Sequence, residues 1–358
     1  MQVLFKTSYD HDINFLPYRG ERIRVGIAIF LFLTVPFFLN DYLLDQLGLF
    51  LVYAIAGIGL MLLTGFTGQV SFGHGAFLAI GAYVSSILPV YGWSTAASVT
   101  AAVASSSILG ALLGRSTSKM HGFYLAIATL VFSILIETVF GQADEITGGY
   151  LGLQVPAFSF FGYESTRAFH RYWIDLVFFG LMLLGAANLL RSSTGRSFVA
   201  VRDSELSARC LGINVSNVKI HSFALSAGIT GLAGVLMAQH LQYVTPDTFG
   251  IDMSLMLLLM VVVGGLGTLL GCVFGAALLV WLPIWIRYLR DLLPSSIAEQ
   301  PGLEPLVFGL ILVLFIIFEP AGLAGRWKKT RRIIETFPYF RADIFVRQRQ
   351  YLKTDRLR

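Results

Sequence analysis

The sequence predicts an all-α polytopic membrane protein with about ten transmembrane helices and both ends in the cytoplasm. Three observations carry this expectation. Hydrophobic residues make up 56% of the 358-residue chain and charged residues only 13%, whereas soluble domains carry about 25% charged residues. The apolar residues fall in runs close to the length of about 20 that lets a helix cross a bilayer. The basic residues are segregated among the loops between those runs.

Hydropathy places the spans near 25–39, 48–66, 73–90, 94–114, 120–140, 173–190, 221–241, 252–269, 271–287 and 303–319. With the N-terminus inside, the segments facing the cytoplasm hold 22 of the 26 Lys and Arg residues. The other four, Arg167, Arg171, Arg287 and Arg290, fall outside, beside Asp41, Asp45, Asp144, Glu145, Asp247 and Asp252. The excess of Lys and Arg in inner loops is what orients a multi-span chain. The domain organisation is then a cytoplasmic tail 1–24, a transmembrane domain 25–325 with a cytoplasmic loop 191–220, and a basic tail 326–358. The first 24 residues lack an apolar core followed by a small-residue site, as a cleavable leader would have. The net charge of +5 follows largely from the loop bias and suits anionic lipid headgroups. No basic patch interleaved with aromatics marks a nucleic-acid partner.

Span 4, "STAASVTAAVASSSILGALLG", is almost entirely small residues, and span 7 offers small pairs at Ala224/Gly228 and Ala227/Gly231. Helices in lipid associate by close packing, which small residues permit. Cys210 and Cys272 have no metal-ligand neighbours at useful spacing, and no Walker A loop is present. The spans are poor in ionisable groups. Glu137, Asp175 and His240 are the main ones, each near a span end and within reach of the interface. That poverty argues against a self-powered, ion-coupled carrier, which needs acids or histidines at depth.

The stretch "GFTGQVSFGHGAF" at 65–77 interrupts the pattern between spans 2 and 3. It reads either as a short cytoplasmic turn or as a broken helix. Irregular backbone at depth is tolerated where it lines protein or a water-filled cavity, so Gln69, Ser71, Gly73, His74 and Gly75 are candidates for a polar path. The loop 191–220 carries the sharper signal. Asp203 or Ser204 can cap a short helix from Glu205 to Leu211, Gly212 can end it in the left-handed conformation, and Asn214 can cap the next helix. A capped amphipathic segment too short to fold alone suggests docking into a partner; lying on lipid headgroups is the other reading.

Five segments carry a resemblance: "LLTGFTGQVSFGHGAFLAIGAY", "GFYLAIATL", "ITGGYLGL", "AVRDSELSARCLGINVSNVKIHSFALSAGITGLAGVL" and "VVVGGLGTLLGCVFGA". In this order and spacing the chain resembles the permease subunits of branched-chain amino acid ABC importers, closest to the M-type subunit. The resemblance implies a type II-like importer fold in the cell (inner) membrane of a bacterium or archaeon. It also implies an H-type permease partner, two ATPase subunits that bind ATP and Mg, and an extracytoplasmic solute-binding protein. This chain would hold no cofactor or metal and would catalyse no covalent step. Arg202, Asp203, Glu205, Ala208, Gly212 and Lys219 match the family's ATPase-coupling segment. Gln69 to Gly75 match a segment of its transport region, and Thr147, Gly148 and Gly149 an outer loop. Phe72, Tyr150 and Cys272 depart from the family's usual residues, which leaves the solute open, since relatives carry urea, short amides or aromatic acids. A stand-alone carrier or channel is the alternative of another class.

Overall fold

The computed structural model describes residues 19–160, 163–164, 167–290 and 321–336, with scattered positions from 306 to 319. Residues 1–18, the expected span at 303–319 as a whole and the tail beyond 336 lie outside the described residues. Among the described residues the fold is helical apart from two short strand pairs. The helices are α1 (Arg19–Thr34), α2 (Asp41–Met61), α3 (His74–Val90), α4 (Thr95–Thr117), α5 (Phe123–Gln142) and α6 (Ala168–Arg191). They continue as α7 (Ser193–Asp203), α8 (Glu205–Cys210), α9 (Val215–Leu241), α10 (Ile251–Gly264), α11 (Leu269–Arg290) and α12 (Gly322–Thr336). Seven helical segments of the described residues are long and apolar enough to cross a membrane, and Val25–Phe37 and His74–Val90 are shorter apolar helices.

The helices at spans 1, 6 and 7 begin at Arg19, Ala168 and Val215 rather than at 25, 173 and 221, and three further boundaries move for local reasons. α2 starts at Asp41 rather than 48 because Asn40 caps it, accepting from Leu43 N at 3.1 Å. α10 stops at Gly264 rather than 269, since Gly265 and Gly267 take positive φ of 115° and 76° and break the helix before α11. α12 starts at Gly322 and crosses the 325/326 boundary of the expected tail. Its first turn is buried at Ala324, beside Gly265, and Trp327 meets Phe274 with ring centroids 6.1 Å apart.

α2 and α9 form the centre of the bundle. α9 packs against α2, α3 and α4, while α2 also meets α6 and α11. Small residues allow this. Ser98, Ala102, Ser106, Gly110 and Gly114 recur every fourth residue of α4 and are all buried. A side-chain carbon at Gly110 would collide with Ala227, one at Gly231 with Ser106, and one at Gly81 with the Gly231 carbonyl. The small pair Ala227/Gly231 therefore does the close packing expected of it. At the far end of α9 the two-residue strands Leu153–Gln154 and Tyr243–Val244 pair antiparallel, with Leu153 opposite Val244.

Candidate functional site

α2 does not end cleanly. Its last turn widens into a π-helical segment, Leu62–Phe66, and the backbone then runs irregularly to Gly73 before α3 begins. A widened turn leaves carbonyls without helical partners, and buried carbonyls need donors. Thr67 Oγ1 donates to Leu62 O at 2.7 Å, Gln69 N to Leu63 O at 3.1 Å, and Arg202 Nη1 to Gly65 O at 3.1 Å. Gly68, at φ 74°, turns the chain.

Gln69, Ser71 and His74 of this break are buried and paired, whereas the buried Thr64 hydroxyl of the π-helical turn has no partner among the described residues. Gln69 Nε2 donates to Ser222 Oγ at 3.0 Å. Ser71 Oγ accepts from Gly73 N at 3.2 Å and lies 3.1 Å from His74 Nδ1. His74 Nε2 lies 2.7 Å from Ser226 Oγ, which donates to Gly59 O at 2.7 Å. Because the Ser226 hydroxyl has one hydrogen and gives it to Gly59, it accepts from His74 Nε2. The imidazole then carries its proton on Nε2 and accepts from Ser71 at Nδ1. Gly75 N donates to Ser254 Oγ at 2.9 Å, and Phe72 N to Thr129 Oγ1 at 3.0 Å. In this conformation the candidate path residues thus join α3 to α2, α5, α9 and α10.

The partners on α9 escape the sequence reading, which treats that span as packing surface. The available signal is the spacing of four between Ser222, Ser226 and Thr230, which puts three hydroxyls on one face.

Thr147, Gly148 and Gly149 sit apart from this break, in a tight turn after α5. Thr147 Oγ1 contacts the carbonyls of Phe140 and Ala143 at 2.6 and 2.8 Å and accepts from Gly149 N at 3.2 Å. Gly148 and Gly149 take positive φ of 71° and 58°.

The six coupling-segment candidates lie along the run from the end of α7 to the start of α9, where Glu205 and Lys219 pair directly. Ser204, rather than Asp203, caps α8, accepting from Ser207 N at 3.3 Å; Gly212 takes φ 82° and Asn214 caps α9. Asp203 instead accepts from Arg202 Nε at 3.1 Å. Ala208 is buried in a small core with Val201 and Val215. Glu205 ties α8 down, with Lys219 Nζ at 2.7 Å and His121 Nε2 at 2.9 Å. Burial raises the Glu205 carboxyl, but its hydrogen bonds to Lys219 and His121 outweigh this and hold it below the usual carboxylate range. Leu206 and Leu211, by contrast, are 74% and 78% exposed.

A further polar group lies at the opposite end of α9. The sequence sets Asp175 and His240 within reach of the interface, but the structure buries the two side chains and pairs them, His240 Nε2 lying 2.7 Å from Asp175 Oδ2. Asp45 and Arg171 join them, with Asp45 Oδ1 3.0 Å from His240 Nδ1 and 2.9 Å from Arg171 Nη2. Among the described residues no group of His, Cys, Asp and Glu is arranged to hold a metal ion.

Comparison with known proteins agrees with this architecture. The family described as branched-chain amino acid transport system / permease component matches residues 42–316. The high-affinity branched-chain amino acid transport system permease protein LivM of Escherichia coli is 31% identical over 315 residues, covering 80% of this chain and 71% of its own. BraD of Pseudomonas aeruginosa, a permease protein of the same kind of system, is 24% identical over 76% of this chain and 92% of its own. A probable LivM of Methanocaldococcus jannaschii is 26% identical over 60% and 64%. No solved structure matches the chain. With the family matched over residues 42–316, this multi-pass membrane protein belongs to the branched-chain amino acid permease family.

Proposed function

We propose that the chain is one transmembrane permease subunit of an ATP-driven importer in a bacterial or archaeal cell (inner) membrane, translocating branched-chain amino acids. Its partners are a second permease of the H type, two ATPase subunits and an extracytoplasmic binding protein that delivers the solute. The observation that carries this reading is the α7–α8 unit. It holds two exposed leucines on a helix that is capped at both ends and anchored through Glu205 to Lys219. A single-turn-scale helix with an unpartnered apolar side is built to be gripped by another protein. ATP binding in the partners would move this unit and bias the bundle between outward- and inward-open states. That bias can be no larger than the difference in contacts the partners make with the two states.

The test is co-purification followed by uptake. The tagged chain is expected to bring down two ATPase proteins, and Leu206→Glu with Leu211→Glu to release them while the permease still inserts. Joint charge reversal at Arg202 and Glu205 is expected to abolish uptake. Normal uptake by that double variant would refute the coupling assignment. The ligand bound by the associated binding protein decides between branched-chain amino acids and the urea, amide or aromatic-acid alternatives.

A further inference from the structure

Arg202 occupies a position that a docking role does not explain. It lies in the last turn of α7, yet its side chain reaches into the seam between two helix breaks. The first break is the π-helical end of α2, where Arg202 Nη1 donates to Gly65 O at 3.1 Å. The second is the interruption between α10 and α11, where a side-chain carbon at Gly267 would lie 3.3 Å from the same Nη1. The two breaks touch each other directly. A carbon at Gly65 would lie 2.7 Å from Gly267 N, and that amide donates to Met61 Sδ in α2 at 3.2 Å. Gly68 leaves room for the stem, since a carbon there would lie 3.1 Å from Arg202 Cγ. Asp203 orients the guanidinium from the solvent side, with its Oδ1 3.0 Å from Nη2. Three glycines from two breaks thus surround one arginine from the loop that carries α8.

We propose that Arg202 is the positioning residue that links movement of the α7–α8 unit to both helix breaks. This rests on the importer reading of the preceding section. The guanidinium is the donor that satisfies the Gly65 carbonyl. Withdrawing it leaves a buried acceptor unmet, so the π-helical turn has reason to rewind when α7 moves. The second break follows because Gly267 is held against the same turn through Met61. A planar guanidinium can serve Asp203 and Gly65 together through separate N–H groups.

The test uses the whole transporter in proteoliposomes with a leucine-loaded binding protein, following ATP turnover and L-leucine uptake side by side. Arg202→Ala is expected to raise the ATP consumed per leucine about tenfold, inside the range usual for coupling between sites. Arg202→Lys, which keeps a charged donor, is expected to restore about half of the coupling. An unchanged ratio, or parallel loss of hydrolysis and uptake, overturns the proposal, because the first means no role and the second means docking alone. A wild-type complex that takes up no leucine on ATP would count against the importer reading instead. The contact is then judged by hydrogen exchange on the permease alone in nanodiscs. The amides of Gln69 and Gly267 are expected to exchange about tenfold faster in Arg202→Ala. Unchanged exchange at both overturns the link.

Discussion

His240 and Asp175 meet inside the bundle at 2.7 Å, Nε2 to Oδ2, and through this pair α9 is fastened to α6. The other ring nitrogen of His240 extends the fastening to α2 through Asp45 at 3.0 Å. Gly48 makes the room: a side-chain carbon there would lie 2.6 Å from His240 Cε1 and 2.9 Å from Asp175 Oδ2. Ionisable groups at membrane depth persist when they pair with one another. Removing one partner of a buried pair strands the other, at about 3–5 kcal/mol. His240→Ala and Asp175→Ala are each expected to lower unfolding stability in micelles by that order, and the double Leu replacement to cost less than either. Single variants within about 0.5 kcal/mol of wild type, the range of an ordinary surface change, would show that the cluster bears no structural weight.

Helix crossings supply a matched pair of glycine tests. A carbon at Gly81 would run into the Gly231 carbonyl, whereas Gly180 and Gly185 in α6 have nothing within 4 Å. Gly81→Ala is expected to destabilise by about 1–3 kcal/mol through overpacking. Gly180→Ala is expected to be neutral or to stabilise by up to about 1 kcal/mol from helix propensity. Equal effects at the two sites would mean that the α3–α9 crossing is looser than the geometry states.

What the sequence reveals of this fold is set by range along the chain. Ser204, Gly212 and Asn214 act within a few residues of themselves, so the boundaries of α8 and the start of α9 are legible from residue type alone. The span positions are legible because a bilayer imposes its own length on helices. The π-helical end of α2 has no such signature. Whether a glycine-rich stretch turns or breaks depends on donors brought from elsewhere: Arg202 is 137 residues from Gly65, and Ser226 is 152 from His74. Asp45, Asp175 and His240 read as three separate interfacial charges for the same reason. Only helix packing decides that they share one place.

Glu205 gives the α8 anchor a defined acid limit. Its carboxyl sits below the usual range in the folded protein because Lys219 and His121 hold it ionised against the cost of burial. A depressed folded value stabilises fully above the unfolded value of about 4.3. That contribution fades as pH falls through the folded value. The anchor is therefore expected to be steady from neutral pH down to mildly acidic conditions and to weaken only in stronger acid. Glu205→Gln is expected to lower stability at neutral pH by about 1.5–3 kcal/mol, the usual worth of a hydrogen bond to a charged group. It should also flatten the acid limb of the stability profile. An acid limb as steep in the variant as in wild type would assign that limb to other carboxylates.

Probing the break between α2 and α3 needs a gentler change than a large side chain. A carbon at Gly73 would lie 2.9 Å from Thr129 O, and one at Gly75 2.7 Å from Phe249 O. Leucine at either position is therefore expected to block assembly itself and to say nothing about transport. Ser226 is the better target. Its hydroxyl accepts from His74 and donates to Gly59 O, so Ser226→Ala leaves one buried donor and one buried acceptor unmet. Each unmet group costs about 1–3 kcal/mol. His74→Ala removes the donor, and the two changes together should then cost less than their sum. A double-mutant cycle in micelles is expected to return a coupling of about 0.5–3 kcal/mol, the span found for residues in one network. Strict additivity would mean that His74 and Ser226 do not share a hydrogen bond in the membrane, and the irregular stretch would then be held by glycine packing alone.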